Sequence, residues 1–539
     1  MKHAYCTYFD HNYLPRALLM LRSLREYDSD STVYALALSD LCQAALKRLA
    51  LPKVEVIALD ELERAYPELL AVKLDRTPIE YIFTLTPVLP LYVFGLAPVE
   101  RVTYVDADLC FFSSPQPVLD ATAEASVAIT PHNFSPRLRD KIVYGRFNVG
   151  WMSFRRCPEA LDCLQAYKAN CLAWCHDRLE EGRFADQRYL DAWPDAYPGL
   201  AIVTHKGVNA APWNADNYVF TERAGQFFAD GDPLVCYHFS SIRIEPGGSF
   251  ESPIPEGHGA AEDVLVRRII RPYVARLLRE RAELHRRFPA LAAAEHANLR
   301  YRAEPPPPQG PPWRFVGPAW PDAKIDARLS DEAIGGAIAL FFTLEAAGAR
   351  AADSLLGQII ARVAQGRPRI SVLDWRGGVG QNYLTAKAAA PGIALDWHVF
   401  DAPAYCDYGN VLNPAVRFHE TPPAPSSRRY DLVFARGTLG LDPDWRRTFM
   451  DLSQAVEHAL VLAPVLVHER STFVAANYPP EWRNGAGVNA WIVSEQDLQA
   501  AAAEAGLAIV GQVPGPLIAD FKEMPGQVTA RVMVLTRRR

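Results

Sequence analysis

The stretch Arg101-Val-Thr-Tyr-Val-Asp106-Ala-Asp108-Leu-Cys-Phe-Phe112 has the composition of a buried β-strand that ends in two carboxylates one residue apart. Because the chain turns at a strand end, aspartates at positions i and i+2 can both approach one hard divalent cation. A Mn²⁺ or Mg²⁺ ion bound there would clamp a diphosphate. The same spacing is also common in turns and helix caps, and the pair alone leaves both interpretations open.

The sequence before this stretch alternates strand-like and helix-like runs. Apolar and aromatic residues predict strands over 3–9, 32–38 and 54–59, and apolar residues at helical spacing predict helices over 14–27 and 41–51. This βαβ rhythm is typical of an α/β fold. We therefore expect the first part of the chain to form an α/β domain.

Other polar residues in the first 240 positions fit a sugar-nucleotide site. His238 ends an apolar run and offers a nitrogen ligand for the cation. Asn148 lies inside an apolar strand, where its amide needs a partner or a ligand. The remaining candidates are amide, carboxylate and aromatic side chains that suit sugar hydroxyls and sugar rings: Asn209, Trp213, Asn214, Asp186 and Gln187. Taken singly, each residue is explained equally well as a cap or as core packing.

In this order, the motifs resemble those of the nucleotide-sugar-dependent glycosyltransferases of the GT-A fold, in particular glycosyltransferase family 8. The resemblance covers residues 1–260 and rests on five pieces: Thr7-Tyr-Phe9, Asp106-Ala-Asp108, Phe147-Asn148-Val-Gly150, Asp186-Gln187 and His238. It implies a hexosyltransferase that uses a nucleotide-sugar donor and retains the configuration at the anomeric carbon.

The resemblance also implies a role for each residue. Thr7 and Phe9 would line the nucleotide base, and Asp106, Asp108 and His238 would bind Mn²⁺. Asn148, Asp186 and Gln187 would face the sugar. Asn209, Trp213 and Asn214, chosen for their amide and aromatic side chains, complete the predicted nucleotide-sugar site. The implied catalytic set consists of Asp106, Asp108, Asp186 and Gln187.

Two departures from the family pattern concern phosphate binding. The segment 81–87 lacks the arginine that the family has before the metal strand. The glycine and lysine that usually follow the late histidine are replaced in His238-Phe-Ser-Ser-Ile-Arg243. Arg243 or Lys206 would have to supply the phosphate contact instead.

A second motif is Arg369-Ile-Ser-Val-Leu-Asp374-Trp-Arg-Gly377-Gly378-Val-Gly380. It predicts a strand, then a glycine turn that lets the backbone approach a ligand closely, then a helix. Asp401 ends the next predicted strand, where an acid is placed to bind ribose hydroxyls. A nicotinamide dinucleotide would require a third glycine where Tyr383 stands.

This second pattern resembles motif I of class I S-adenosylmethionine-dependent methyltransferases, in particular those associated with surface-polysaccharide genes, and covers residues 330–539. The resemblance implies a cofactor site formed by Asp374, Gly377, Gly378, Gly380, Asp401 and Asp431. Trp375 and Arg376 stand where a glycine is usual, which leaves open whether the cofactor binds. No base for a methyl acceptor stands out.

The second half predicts a separate sheet with strands over 370–374, 394–400, 430–435, 459–467, 508–513 and 529–535. A chain of 539 residues exceeds what one hydrophobic core usually serves. The prolines between 305 and 312 favour an extended linker. We therefore expect two Rossmann-like α/β domains. The predicted parts are a GT-A domain over 1–260, a basic helical segment over 261–302, a linker over 303–320 and a methyltransferase-like domain over 321–539.

The basic segment carries arginines among apolar residues at helical spacing between 263 and 302. Pro272 and Pro289 would kink or break its helix. A basic amphipathic helix either packs on the first domain or lies on an anionic membrane surface, and both alternatives stay open.

Composition narrows the partners and the location. The net charge of −6 argues against nucleic acid as a partner. The sequence contains no uncharged apolar window of 18 residues and begins without a signal-peptide core. Nine cysteines without an export signal suggest reduced thiols. We expect a cytoplasmic protein, peripheral at the inner face of the membrane if the basic segment binds lipid.

The sequence thus predicts a bifunctional transferase of polysaccharide biosynthesis. It would transfer a sugar from a nucleotide-sugar donor to a glycan or glycolipid acceptor, with Mn²⁺ or Mg²⁺ and S-adenosylmethionine as cofactors. Two alternatives remain: a glycosyltransferase whose second domain is a catalytically silent binding module, and a non-enzymatic scaffold on a membrane surface.

Overall fold

The computed structural model describes residues 2–244, 250–251, 254–255, 258, 263–298, 313–319, 331–348, 354–422, 428–477, 488–521 and 524–538. The chain divides into two compact units. Unit 1 comprises residues 1–243 and 252–299, and unit 2 comprises residues 244–251 and 300–539. Both have the expected α/β fold.

Unit 1 contains short and medium strands. They are β1 (His3–Phe9), β2 (Thr32–Ala37), β3 (Val54–Ala58), β4 (Arg101–Val105), β5 (Leu109–Phe111), β6 (Val127–Pro131), β7 (Phe147–Arg155), β8 (Leu200–Ile202), β9 (Phe220–Arg223), β10 (Gln226–Ala229), β11 (Asp232–Pro233) and β12 (Cys236–His238), with β13 (Arg243–Ile244) at the unit boundary. Seven form one sheet in the order β3-β2-β1-β4-β7-β6-β8.

The α-helices of unit 1 are α1 (Leu14–Tyr27), α2 (Asp40–Leu49), α3 (Leu59–Ala65), α4 (Glu68–Lys73), α5 (Pro78–Thr84), α6 (Val88–Leu96), α7 (Gln116–Ala121), α8 (Pro158–Ala173), α9 (Trp193–Ala196), α10 (Arg271–Arg287) and α11 (Pro289–Asn298). Three 3₁₀-helices, Pro136–Tyr144, Gln187–Ala192 and Ala215–Asn217, and a π-helix, Leu265–Ile270, complete the unit. Local sequence explains individual ends: the Ser39 side chain accepts a hydrogen bond from the Cys42 amide and caps α2.

The sheet of unit 1 reverses its strand order next to β1. Strand β1 pairs in parallel with β2 on one side and with β4 on the other. In open α/β sheets, ligands bind outside the carboxyl ends of the strands at such a switch point. Asp106 directly follows β4, so the topology places the Asp-Ala-Asp motif at this edge.

The basic segment is helical and breaks at Phe288, before Pro289, as predicted. Its apolar side is buried in unit 1: Leu284 and Leu291 belong to the core that also holds Leu18 and Leu21 of α1. The ring of Tyr273 stacks on Phe239 with centroids 3.6 Å apart and planes at 6°. The helix thereby packs against the residue that follows His238.

Unit 2 contains β14 (Phe250–Glu251), β15 (Trp313–Gly317), β16 (Arg369–Trp375), β17 (Ala394–Phe400), β18 (Arg417–His419), β19 (Tyr430–Ala435), β20 (Val456–His468), β21 (Phe473–Asn477), β22 (Val488–Ser494), β23 (Leu507–Phe521) and β24 (Met524–Arg537). Its helices are α12 (Asp331–Ala347), α13 (Leu355–Ala364), α14 (Gln381–Ala389), α15 (Pro403–Leu412), α16 (Thr438–Leu441), α17 (Trp445–Gln454) and α18 (Glu495–Glu504).

The large sheet of unit 2 runs β15-β21-β22-β20-β19-β16-β17-β18, and β24 pairs antiparallel with both β20 and β23. Its parallel part reverses order beside β16, which pairs with β17 and β19. The glycine turn connects β16 to α14 and therefore lies at the switch point of this sheet.

One part of the predicted linker is not a linker. Residues 313–317 form β15, which pairs antiparallel with β21 inside unit 2. The prediction was wrong there because the proline-rich composition hides a short edge strand that begins directly after the last proline. The proline run from 305 to 312 lies outside the described residues.

Within the described residues, no single helix has the length and apolar composition needed to cross a bilayer. Helices α5 and α6 reach that composition only as a pair, bent by 49°.

Candidate metal and cofactor sites

Three predicted metal ligands meet at the switch point of unit 1. One ligating atom from each of Asp106, Asp108 and His238 can be chosen so that all lie within 4.8 Å of one another. His238 Nε2 is 2.9 Å from Asp108 Oδ1 and 3.6 Å from Asp106 Oδ2. Strand pairing causes this meeting, because β12 lies antiparallel to β5 with His238 opposite Leu109.

Asn209 orients the imidazole of His238. Its Oδ1 atom lies 3.2 Å from His238 Nδ1, and its Nδ2 donates to Thr130 Oγ1 at 3.4 Å. A hydrogen bond at Nδ1 holds the proton there and turns the lone pair of Nε2 toward the carboxylates. Asn209 was predicted to bind the sugar nucleotide, and in the structure its side chain contacts His238, a predicted metal ligand.

The charges of the cluster are strongly coupled. Burial lowers the pKa of His238, but the carboxylates of Asp108 and Asp106 raise it by more than burial lowers it, so the net shift is upward. Burial raises the pKa of Asp106, and this effect exceeds the opposing effect of His238. For Asp108, burial is outweighed by the charge and hydrogen bond of His238, and the pKa is lowered. Two carboxylates, one half-buried and one buried, thus share the positive charge of His238, and Arg16 adds to it at Asp108.

Asn148 and Gly150 of β7 pack against the imidazole of His238. The Gly150 amide donates to Asn148 Oδ1 at 2.9 Å, and its carbonyl accepts from the Asp106 amide at 3.1 Å. A Cβ atom on Gly150 would come 2.6 Å from Asn148 Oδ1 and 2.9 Å from His238 Nδ1. Only glycine therefore allows the strand to pass this close to the histidine.

Asp186 lies in a buried polar network that reaches the metal cluster. Thr86 Oγ1 donates to its carboxylate at 2.7 Å and is 2.8 Å from the Tyr8 hydroxyl. Tyr104, whose ring contacts Tyr8, donates to Asp106 Oδ1 at 2.8 Å. Burial raises the pKa of Asp186 to about 7; the Thr86 hydrogen bond opposes the rise and the Asp106 charge adds to it.

The ring of Trp213 meets His238 edge-on at a centroid distance of 5.0 Å. Its buried Nε1 has no hydrogen-bond partner among the described residues. Asn214 has a different place: its amide donates to the carbonyls of His132 and Asn209, and its Oδ1 accepts from the Ala211 amide. Trp213 thus lies at the cluster, whereas Asn214 fixes the loop that carries it.

Other predicted site residues lie apart from the cluster. Thr7 is completely buried with its hydroxyl unpartnered among the described residues, and Phe9 packs in the apolar core with 2% exposure. Gln187 donates to the carbonyl of Tyr144 at 3.0 Å. Lys206 forms an ion pair with Asp230 at 3.0 Å.

The sequence did not single out Tyr8, Thr86, Tyr104 or His132. His132 lies 3.3 Å from the Asn148 amide and contacts Trp213, and burial lowers its pKa to about 3. Tyr8 and Tyr104 point to the same face of neighbouring strands. The alternation of side chains along β1 and β4 predicts that both tyrosines share a face, but only once the pairing of the two strands is known.

In unit 2 the glycine turn contacts both predicted acids. The Gly378 amide donates to Asp401 Oδ2 at 2.8 Å. Asp374 is completely buried and accepts from Asn382 and from the indole nitrogen of Trp397. Burial raises the pKa of Asp374 to about 7. A Cβ atom on Gly377 would lie 2.5 Å from the Asp374 carboxyl carbon, which accounts for that glycine.

Side chains of unit 2 itself also approach the turn. Gln381 Oε1 lies 2.8 Å from the position of a Cβ atom on Gly378, and Asn413 donates to the Gly380 carbonyl at 3.0 Å. Gly378 and Gly380 have φ values of +62° and +80°. The turn therefore has the left-handed backbone that glycine permits.

Asp431 is not at this site. It lies near the start of β19, pairs with Arg367 at 2.7 Å and accepts from the Ser371 hydroxyl and amide. Phe434, not Asp431, is the residue of β19 opposite Asp374. Three strand residues separate the two positions, or about 10 Å along the sheet.

No protein-family model matches this chain. It is 32% identical over 253 residues to the uncharacterized protein YfnF of Bacillus subtilis (strain 168), a match that covers 45% of this chain and 83% of YfnF. The chain belongs to the YfnF family. Another relative, the uncharacterized protein YfnD of the same organism, is 29% identical over 294 residues, covering 53% of this chain and 93% of YfnD.

Solved structures similar to this member of the YfnF family include both glycosyltransferases and methyltransferases. The galactosyltransferase LgtC, in complex with donor and acceptor sugar analogs, shares 14% identity at a TM-score of 0.33 and covers 56% of this chain and 98% of its own. Mouse xyloside xylosyltransferase 1 shares 15% at 0.28, covering 39% and 88%. CalS10, an amino pentose methyltransferase from Micromonospora echinaspora bound to SAM, shares 17% at 0.23, covering 34% and 90%.

Proposed function

We propose that unit 1 transfers a sugar from a nucleotide-sugar donor to a glycan acceptor and needs a divalent cation to do so. The observation that carries this proposal is the convergence of Asp106, Asp108 and His238 at the carboxyl edge of the sheet. In the sequence, the two aspartates between β4 and β5 lie more than a hundred positions before His238 at the end of β12. Their meeting at a switch point, where α/β proteins bind ligands, favours a site over chance.

The donor set fits Mn²⁺ or Mg²⁺. Two carboxylate oxygens and one imidazole nitrogen suit a hard or borderline divalent ion. Asp108 is buried and Asp106 is half-buried, and their mutual repulsion is offset in part by His238 and, at Asp108, by Arg16; a bound cation would relieve it further. When bound, it would neutralise charge on the departing nucleoside diphosphate.

The surrounding side chains hold this arrangement in place. Asn209 fixes the tautomer of His238, and Tyr104 donates to Asp106. Asp186 is positioned by Thr86 and, with a pKa near 7, carries a proton for much of the time at neutral pH. A buried carboxyl of this kind can both donate to and accept from a sugar hydroxyl.

Nucleoside-diphosphate release tests the proposal. The full chain is screened over common nucleotide sugars with Mn²⁺, and the double variant Asp106→Ala plus Asp108→Ala is measured alongside it. We expect release by the wild type and at least a hundredfold loss in the double variant, since removal of even one hydrogen-bond donor that stabilises developing charge in an active site costs roughly 10²–10³ in rate.

Asp162→Ala is the matched control. Asp162 is an exposed carboxylate on α8, and its removal leaves the cluster untouched. Equal release by the wild type and the double variant contradicts the metal-site assignment. A loss of the same size in Asp162→Ala shows that the assay reports something other than the cluster.

For unit 2 we propose S-adenosylmethionine binding at the glycine turn. The supporting observation is that Asp401 and the turn are in direct contact at the switch point. Calorimetric titration of the full chain with S-adenosylmethionine tests it, with Asp401→Ala expected to abolish binding. Asp431→Asn is the control expected to bind normally, because Asp431 lies about 10 Å along the sheet.

The silent-module alternative makes the opposite prediction. Gln381 packs against Gly378, and Trp375 and Arg376 stand where a glycine is usual. If the titration with S-adenosylmethionine gives no heat and no thermal shift, unit 2 acts as a binding module and the bifunctional proposal is wrong. The proposal that both activities serve polysaccharide biosynthesis depends on the same result.

The membrane-scaffold alternative has less support. A helix that lies on a membrane inserts its apolar face. In α10 that face, including Leu277, Leu278 and Leu284, is buried within unit 1. We therefore favour the enzyme.

A further inference from the structure

A cavity of about 780 Å³ lies beside the proposed active site in unit 1. This volume falls within the range of small-ligand sites, roughly 300–1,000 Å³. Its wall comes from the ends of β6 and β8 with the loops that follow them, from the start of β7, and from the 3₁₀-helices Pro136–Tyr144 and Ala215–Asn217. The residues that matter for recognition are Phe134, Arg139, Arg146, Phe147, Lys206 and Tyr218.

The charged residues on this wall are all cations. Arg139, Arg146 and Lys206 line the cavity, and no acidic residue lines it among those described. Two acids contact wall residues: Asp230 pairs with Lys206 and offsets its charge, and Asp191 accepts a hydrogen bond from the backbone amide of Arg146, so the side chains of Arg139 and Arg146 supply the positive charge. The cavity therefore has an excess of positive charge although the whole chain is acidic.

The rest of the wall is apolar and aromatic. Arg146 lies over the ring of Phe147, with its guanidinium carbon 5.2 Å from the ring centroid. Phe134 stacks on His132 at 4.6 Å and 10°. Aromatic faces beside cations are suited to a sugar ring that carries a negative charge, because the rings contact its C–H face and the cations bind its anionic group.

The cavity is close to the metal cluster but distinct from it. His132, which contacts Phe134, also meets Trp213 at 5.5 Å, and Trp213 meets His238 at 5.0 Å. Pro131 and Phe147 line the cavity, while their neighbours His132 and Asn148 belong to the cluster side. The rings of His132 and Trp213 thus lie between Phe134 on the cavity wall and the metal ligand His238. Of the two residues predicted to contact the donor phosphate, Lys206 lies on this wall and is paired with Asp230, whereas Arg139 and Arg146 were not among the predicted donor contacts.

We propose that this cavity binds the acceptor, and that the acceptor residue is an anionic sugar carrying a phosphate or carboxylate group. The proposal rests on the proposed glycosyltransferase function of unit 1 and specifies its acceptor. Arg139 and Arg146 bind the anionic group, and Phe134 and Tyr218 contact the sugar ring. Arginine suits this role because its planar guanidinium forms paired hydrogen bonds with either kind of anion.

Direct binding tests the proposal without depending on catalysis. Glucose 6-phosphate, glucuronic acid and glucose are titrated by saturation-transfer NMR against the full chain carrying Asp106→Ala and Asp108→Ala, with EDTA present. We expect the two charged sugars to bind and glucose to bind at least about tenfold more weakly, with affinity falling as salt rises. A preference between the two charged sugars identifies the anionic group.

Substitutions then locate the binding. Adding Arg139→Ala and Arg146→Ala should weaken binding of the charged sugars at least about tenfold, while Arg139→Lys with Arg146→Lys restores part of it. Arg223→Ala is the matched control, because Arg223 is also exposed and lies 5.5 Å from the ring of Phe228, but away from the cavity.

The proposal is overturned if neither charged sugar binds, if glucose binds as tightly, or if Arg223→Ala weakens binding as much as the cavity variants do. Because the metal aspartates are already removed, these outcomes are independent of nucleoside-diphosphate release. Failure of that release assay would contradict the proposed function, whereas failure of sugar binding would contradict only the acceptor assignment.

Discussion

At the scale of the residue, Asn209 shows how a site depends on a group that binds no substrate. Its amide oxygen is the described partner of His238 Nδ1. We expect Asn209→Ala to weaken Mn²⁺ binding, measured by calorimetry, by about 10- to 100-fold, as for other partners of metal ligands. Asn209→Asp keeps an oxygen at Nδ1 and should retain most of the affinity.

A purely structural role for Asn209 predicts another pattern. Its φ of +60° suits asparagine better than alanine, so Asn209→Ala also lowers stability. Unfolding measured with EDTA separates the two effects. If both variants lose stability but bind Mn²⁺ with wild-type affinity, the positioning role is wrong.

The raised pKa of Asp374 predicts how the stability of unit 2 depends on pH. Its pKa is raised from 3.8 to about 7 by burial. A carboxyl whose folded pKa lies above its unfolded value stabilises the fold fully below the unfolded pKa, and this contribution is lost as pH rises through the folded pKa. The free energy of unfolding of unit 2 should therefore fall between about pH 4 and 7, by at most about 1.4 kcal/mol per pH unit.

Urea unfolding across this pH range, in wild type and Asp374→Asn, measures the effect. The difference between the two proteins isolates Asp374 from other titrating groups. The free energy of unfolding of the variant should lack the pH dependence that Asp374 causes. Asp396, an acid paired with Arg369 and Arg428, is present in both proteins and therefore contributes equally to both. A pH-independent difference would show that Asp374 stays ionised in the fold.

At the scale of the element, α10 supports β12, the strand that carries His238. Tyr273 stacks on Phe239, next to His238. Tyr273→Ala removes a fully buried ring and should cost about 3–5 kcal/mol in the unfolding of unit 1. It should also weaken Mn²⁺ binding, because Phe239 and the end of β12 lose their packing.

Tyr273→Phe is the control for this prediction. The Tyr273 hydroxyl is buried without a hydrogen-bond partner among the described residues, so its removal should leave stability unchanged or raise it by up to about 1 kcal/mol. Chemical unfolding followed by circular dichroism gives both values. Equal destabilisation by the two substitutions would contradict the stacking argument.

The elements also show what the sequence could predict. Helix α1 and strands β1, β17 and β19 have the predicted ends, because apolar spacing and turn residues are local signals. The aspartates and the histidine were predicted from their positions at strand ends. The hydrogen bonds between Asn209 and His238 and between Thr86 and Asp186 were not predicted, because each joins residues that are distant in sequence. β15 was assigned to the linker because it is a short edge strand beside prolines.

At the scale of the whole molecule, the chain carries separate cores. Among the described residues, two buried clusters lie in unit 1 and two in unit 2. The proposed cation site and the proposed S-adenosylmethionine site lie on different sheets, each at its own switch point. Each ligand should therefore stabilise only the unit that binds it.

Calorimetric unfolding of the full chain tests this independence. At a ligand concentration of one hundred times Kd, binding adds about 2.7 kcal/mol to the unit concerned. Mn²⁺ with a nucleoside diphosphate should raise the unfolding temperature of unit 1, which is the transition that Tyr273→Ala lowers. S-adenosylmethionine should raise the unfolding temperature of unit 2, which is the transition whose pH dependence Asp374→Asn removes. In Asp106→Ala plus Asp108→Ala, the first shift should vanish and the second remain. Should either ligand raise both transitions equally, the two units unfold as one and the assignment of separate ligand-binding units fails.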